Sequence, residues 1–219
     1  MKNVRSVFLV TTILSVAVSM TLGQAPAGGQ RGAPAPGAPA APAAPAAPAA
    51  PAAPAMVLTT TAWADGTVIP AKYTQAGEQV SPALAWSNVP AATVSLVLHM
   101  YDADASPTKG TDTQVHWLMW NMPPTLKGLP ENVPMGATLP DGSRQISASG
   151  PRYRGPGAPA TGPLHHYMIE IYALDTKIDV PASTAPANPE IETRTAVFKA
   201  MAGHVIGKAV YGGLFHRPQ

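Results

Sequence analysis

The chain has 219 residues, a formal charge of +2 and no Lys/Arg block, so a basic nucleic-acid-binding surface has no support. It contains no cysteine, which excludes disulfide frameworks, thiolate metal sites and a cysteine nucleophile together. Most of the excess among its 26 prolines lies ahead of position 56, leaving Met56 to Gln219 as one domain large enough to bury a core.

The first segment begins with Lys2 and Arg5, followed by an apolar run from Val7 to Leu22 that gives way to Gly23-Gln24. A positive start, a short apolar run and small residues at a cut site predict a secretory signal over residues 1–23, cleaved after Gly23. The alternative is an uncleaved signal anchor, because the run is only slightly shorter than a membrane span. Either way the domain is expected outside the cytoplasm, periplasmic or secreted, with membrane contact only through such an anchor. Residues 24–55 form an Ala/Pro-rich linker. Proline recurs at every third position from Pro36 to Pro54, which is the polyproline II period and predicts an extended spacer. At about 3.1 Å per residue, Pro34 to Ala55 would reach roughly 70 Å.

Within the domain, Val94–Tyr101, Val115–Met122 and Tyr167–Leu174 read as strands, the first two apolar on both faces. Turn signals separate them at Asn88-Val89-Pro90, Asp102 to Gly110, Pro123-Pro124 and the Gly/Pro-rich stretch from Ser149 to Pro163. One helix is predicted from Pro189 to Ala202, capped by Asn188, with Glu190 and Glu192 in its first turn, Lys199 in its last and Gly203 as its stop. Ile191, Thr195, Phe198 and Ala202, with Met201 beside them, are its expected inward stripe. The architecture is therefore mainly β with one late helix.

No Gly-x-Ser-x-Gly, P-loop, dinucleotide fingerprint or zinc-helix spacing is present. What remains is Asp102 and Asp104 after one strand, His116 inside the next and His165 opening the third. If the strand ends converge, Asp102, His116 and His165 share a pocket beside a glycine-rich loop, a setting suited to phosphate or carboxylate. Each residue also has a plain structural reading: Asp102 and Asp104 as turn formers, His116 as a core histidine, His165 as a strand-edge residue. A metal site from the same residues lacks any diagnostic spacing, and no cofactor is expected.

The order of segments adds a resemblance. Ser81-Pro82-Ala83-Leu84-Ala85-Trp86-Ser87-Asn88-Val89-Pro90, Asp102-Ala103-Asp104-Ala105-Ser106-Pro107 and Val115-His116-Trp117-Leu118-Met119-Trp120-Asn121 resemble, in order, the SPPLxWxxxP, DPDAP and HW…N elements of the bacterial, Raf kinase inhibitor-like branch of the phosphatidylethanolamine-binding proteins. Tyr153 to Pro159 followed by His165-His166-Tyr167 is similar to its YxGPxPP…HRY stretch, and Ala200–Val205 and Tyr211–Arg217 to its final helix and strand. The resemblance implies two packed antiparallel sheets with a late C-terminal helix. It also implies a pocket for phosphate-like anions or phospholipid head groups lined by Asp102, His116, Gly157, His165 and Tyr167. In that pocket the two imidazoles would donate to the anion, and Gly157 would give room and its backbone N–H. Asp102 would orient an imidazole or take an ammonium, and Tyr167 would add its hydroxyl or ring. Two departures stand out: Ala103 replaces the first proline of the acidic element, and His166 replaces the arginine after the pocket histidine. A histidine there would contribute less, or make the site more pH-dependent.

Three functions compete. The first is an exported binding protein for a small anion or head group, without catalytic residues. The second is an extracytoplasmic protein-interaction regulator such as a protease inhibitor, its protein partner unidentified. A hydrolase using Asp102 and His116 as an acid–base pair ranks last, because no nucleophile or metal set accompanies them.

Overall fold

The computed structural model describes residues 54–183 and 189–219. The expected signal, nearly all of the linker and the Asn188 cap lie outside the described residues. In chain order the elements are β1 (Val57–Thr59), a 3-10 turn (Ala71–Tyr73), β2 (Leu84–Ser87), β3 (Ser95–Asp102), β4 (Gln114–Met122) and β5 (Gly128–Leu129). They continue with β6 (Arg144–Ile146), β7 (His165–Leu174), α1 (Pro189–Met201) and β8 (Val205–Phe215). The pairings are antiparallel and make two sheets, one in the order β1-β2-β5 and one in the order β6-β4-β3-β7-β8. This is the mainly β, two-sheet architecture with one late helix that the sequence predicted.

The larger sheet is covered on both faces, which is why β3 and β4 read as unbroken apolar runs rather than as alternating strands. One core joins its inner face to the small sheet: Leu98, Met100, Trp117, Ile169 and Ile171 pack with Leu58, Trp63 and Trp86. A second core lies on the opposite face, where Val97, Leu118, Trp120 and Leu174 meet Val197 and Met201 of α1. Strand alternation assigns each residue to its core, since successive side chains point to opposite faces.

The helix is turned relative to the expected stripe. Its buried residues are Glu190, Thr193, Val197 and Met201, while Thr195 and Ala202 are exposed and Ile191 and Phe198 are half-buried. The reason lies in Phe198. Its ring stands edge-on to His99 at 5.1 Å and to Tyr172 at 5.9 Å, and the Arg194 guanidinium covers it at 4.9 Å. That aromatic border leaves the narrower Val197 and Met201 to contact the sheet. Gly203, at φ +85°, supplies the left-handed residue that stops the helix.

Two irregularities in the pairing of β3 with β4 place functional side chains. Leu96 pairs with Met122 and Leu98 with Met119, so β4 carries an extra residue in this interval. Asn121 takes it up at φ +55°, and its side chain exchanges hydrogen bonds with both backbone groups of Ile178, at 2.9 and 3.0 Å. The second irregularity falls between Met100, paired with Trp117, and Tyr101, paired with Val115, so His116 is the extra residue. A bulge re-aims side chains, and it lets His116 stay on the inner face beside Trp117 while Val115 turns to the helix side.

Candidate ligand site

Asp102 ends β3 on its inner face and pairs directly with Tyr167 of β7, with His165 two residues farther along the same face. Only 3% of Asp102 is exposed. Its carboxylate accepts the His165 Nδ1 proton at 2.9 Å and the Asp104 backbone N–H at 3.0 Å. It is therefore both the turn former and the imidazole-orienting acid that the sequence allowed. The Asp104 bond also closes the turn in the absence of the first family proline.

The Tyr167 hydroxyl accepts the backbone N–H groups of Gly157 at 3.1 Å and Ala158 at 3.0 Å. The Asp102 carboxylate stands across the strand pair as a neighbour for its own proton. Burial foremost, together with the Asp102 carboxylate, holds the phenol well above its usual pKa. His116 stands edge-on to Tyr167, with ring centroids 5.1 Å apart. Its Nδ1 lies 3.0 Å from the Arg154 carbonyl oxygen and 3.1 Å from that of Gly155, and both can only accept. Burial pushes the His116 pKa down to about 4. One carboxylate, two imidazoles and a phenol thus occupy one sheet face, and the phenol and His116 are tied to one loop.

That loop is fixed from behind. Tyr153 Oη donates to the Tyr73 carbonyl at 2.8 Å, and a Cβ on Gly155 would meet Tyr73 O at 2.6 Å and Thr74 Cα at 2.8 Å. Gly157 differs from its expected role. The space beside it is filled by Gln75, whose amide would lie 2.2 Å from a Cβ, and its N–H is already given to Tyr167. The glycine accommodates Gln75, which itself donates to Gly155 O at 2.8 Å and accepts from Arg217 at 3.0 Å.

His166 faces away from the site, as alternation requires. It is exposed and pairs with Asp104, its Nδ1 at 2.9 Å and its backbone N–H at 2.6 Å from Oδ2. These bonds, the backbone one first, hold the Asp104 carboxyl below its usual pKa. The replaced arginine position therefore bears on the acidic turn and not on the Asp102–His116–His165 cluster. Asp102, Asp104 and His165 offer donor atoms within 4.8 Å of one another, close enough for a divalent cation. Each is already bonded to a protein proton or donates one, so the trio reads as a hydrogen-bond network.

Sequence reasoning missed three neighbours. Gln114 pairs with Asp102 and shares its face, and its Nε2 is buried without a partner among the described residues. Arg154 places its charge near His116, with Nε buried and unpartnered and no salt bridge among the described residues. Both stand inside or beside motifs quoted from the sequence, so polarity next to His116 and Gly155 was the available signal. Gln75 carried none, since only the fold brings it to Gly157. A well-formed hollow of about 330 Å³, lined by Glu78, Gln79, Asn132 and Arg152, lies apart from this convergence of titratable groups.

A family profile described as phosphatidylethanolamine-binding protein matches residues 59–216. The chain belongs to the phosphatidylethanolamine-binding protein family. Relatives place it in the bacterial and archaeal branch. It is 42% identical over 164 residues to a UPF0098 protein of Methanothermobacter thermautotrophicus, a match covering 74% of this chain and 99% of that one. It is 38% identical over 108 residues to the UPF0098 protein YbhB of Escherichia coli, covering 48% and 66%. Among solved structures, a phosphatidylethanolamine-binding protein homologue from Chlamydia trachomatis superposes with TM-score 0.60 at 30% identity, over 74% of this chain and 97% of that one. Escherichia coli YbcL shares the fold at TM-score 0.58 and 24% identity, over 74% and 98%. In phosphatidylethanolamine-binding protein terms, the acidic element, the HW…N strand and the HHY strand start are the three segments that the large sheet brings to one end.

Proposed function

We propose that the protein is an exported binding protein whose Asp102–His116–His165–Tyr167 site takes a phosphate-like anion or a phospholipid head group, and that it is not an enzyme. The observation that carries the reading is the Asp102–Tyr167 pair. It joins an oriented imidazole on one side to the Gly157–Ala158 backbone on the other, with His116 against the same phenol. Such a cluster is held rigid by hydrogen bonds on its protein side, which is how a binding site is kept pre-organised. Binding is favoured over hydrolysis because neither imidazole is hydrogen-bonded to a hydroxyl among the described residues, so no activated nucleophile is set up. Export is supported by Lys2, Arg5 and the Val7–Leu22 run.

Titration calorimetry with inorganic phosphate and phosphoethanolamine tests the reading. Binding by the native protein that disappears in His165→Ala or His116→Ala, with the far-UV spectrum retained, is the expected result. Failure of the native protein to bind either ligand removes it. Inhibition of a secreted protease that survives both substitutions would favour the regulator instead.

A further inference from the structure

The tautomer of His116 sets a condition on any ligand. Two carbonyl oxygens at His116 Nδ1 fix the proton on that nitrogen, so Nε2 carries a lone pair while the ring is neutral. The ring is 2% exposed, and its burial keeps it neutral at ordinary pH. The Arg154 backbone bond and the Asp102 charge favour protonation, and the Arg154 charge opposes it, without overcoming burial. His165 also turns its Nδ1 proton to Asp102, and its Nε2 has no partner among the described residues. Asp102 is occupied by His165 and the Asp104 N–H, and Tyr167 by the loop. The side-chain donors left over nearby are the Arg154 guanidinium and the Gln114 amide, each with a buried nitrogen that lacks a partner among the described residues.

An anion entering this site therefore meets the His116 lone pair, with the Arg154 charge nearby, rather than the two N–H donors expected from histidines. A buried acceptor facing another acceptor costs the desolvation of both. A ligand that brings its own proton removes that cost.

Resting on the anion-site reading above, we propose that the site reads a proton on its ligand. Arg154 supplies the positive charge, and the His116 Nε2 lone pair accepts a hydrogen bond from an O–H or N–H that the ligand itself carries. Inorganic phosphate carries such a proton at neutral pH. A phosphomonoester carries one as its monoanion, lost with a second pKa of about 6, and phosphoethanolamine adds ammonium N–H groups. Sulfate has the same shape and no proton, so it is discriminated against by the site.

Calorimetry on the full chain at pH 6.5 with inorganic phosphate, sulfate and phosphoethanolamine decides the matter. Phosphate is expected to bind about tenfold or more tightly than sulfate, the worth of one buried pairing. Equal binding of the two overturns the proposal while leaving an anion site in place. Binding of none of the three overturns both. Arg154→Gln should weaken phosphate and sulfate alike by about tenfold and keep their ratio; unchanged phosphate affinity in that variant refutes the role given to Arg154. His116→Gln, whose amide can present either end, should bring the ratio toward one. If that variant does not fold, the native ratio and Arg154→Gln still decide. Tighter binding of phosphoethanolamine than of phosphate identifies a head group as the source of the shared chemistry, and equal binding identifies free phosphate. The preference over sulfate is required in both.

Discussion

Acid should destabilise this domain through two buried histidines, and the size of the effect follows from the structure. His99 and His116 are 1% and 2% exposed, and both ring nitrogens of His99 lack a partner among the described residues. Burial lowers the His99 pKa to about 3, with Arg194 and Lys208 acting in the same direction, and lowers that of His116 to about 4. An unfolded histidine titrates near 6.5. Above that pH both states are neutral and the full stability is present. As pH falls below 6.5 the unfolded chain takes up a proton at each position that the native protein refuses, and stability is lost until the folded values are reached. At pH 5 the gap is about 1.5 units at roughly 1.4 kcal/mol each, so each histidine costs about 2 kcal/mol and the pair about 4. His99→Phe isolates one of them. A phenyl ring keeps the stack on Tyr101, now at 4.7 Å, and the contact with Phe198, and it removes two unpartnered nitrogens. Urea unfolding followed by tryptophan fluorescence at pH 7.5 and 5.0 measures the effect, and carboxylates common to both proteins cancel in the difference. At pH 7.5 the variant should lie within about 1 kcal/mol of the native protein. On going to pH 5.0 it should lose about 2 kcal/mol less. Identical losses in the two proteins would refute the reasoning.

Other substitutions probe the scaffold behind the site. Gly155→Ala drives a Cβ into the Tyr73 and Thr74 backbone, which cannot rotate away, and should cost about 2–4 kcal/mol, read as a fall of roughly 5–15 °C in thermal midpoint. Asn121→Ala removes the two bonds to Ile178 and places alanine at φ +55°, so urea unfolding should show a loss of about 2–4 kcal/mol, with Asn121→Gly recovering about 1. Gly157→Ala should destabilise the native protein but much less in a Gln75→Ala background, with a coupling of about 1 kcal/mol or more in a double-mutant cycle.

The sequence was informative where periodicity and motif order carry the physics. The apolar runs at Val94–Tyr101 and Val115–Met122 read as strands buried on both faces, and they became the inner strands Ser95–Asp102 and Gln114–Met122 of the larger sheet. Pro189, the early acids and Gly203 bounded the helix within one residue. Asp102, His165 and Tyr167 were legible as neighbours because the family order of segments implies a sheet that pairs them. The short strands β1, β5 and β6 were not, since two or three residues hold too little pattern and exist only through their partners.

What the chain by itself determined is which side chains alternate onto which face within each regular stretch of strand, because a period of two is local, whereas the bulges at His116 and Asn121 come from the pairing. Which of those faces meets which loop is a matter of long-range packing. Residues far apart in sequence, Gln75 against Gly157 and the Arg154 and Gly155 carbonyls at His116 Nδ1, are brought together only by the closed fold. The proton placement that turns an apparent donor at His116 into an acceptor was therefore decided by tertiary structure, since a histidine's tautomer is set by the partner it finds there.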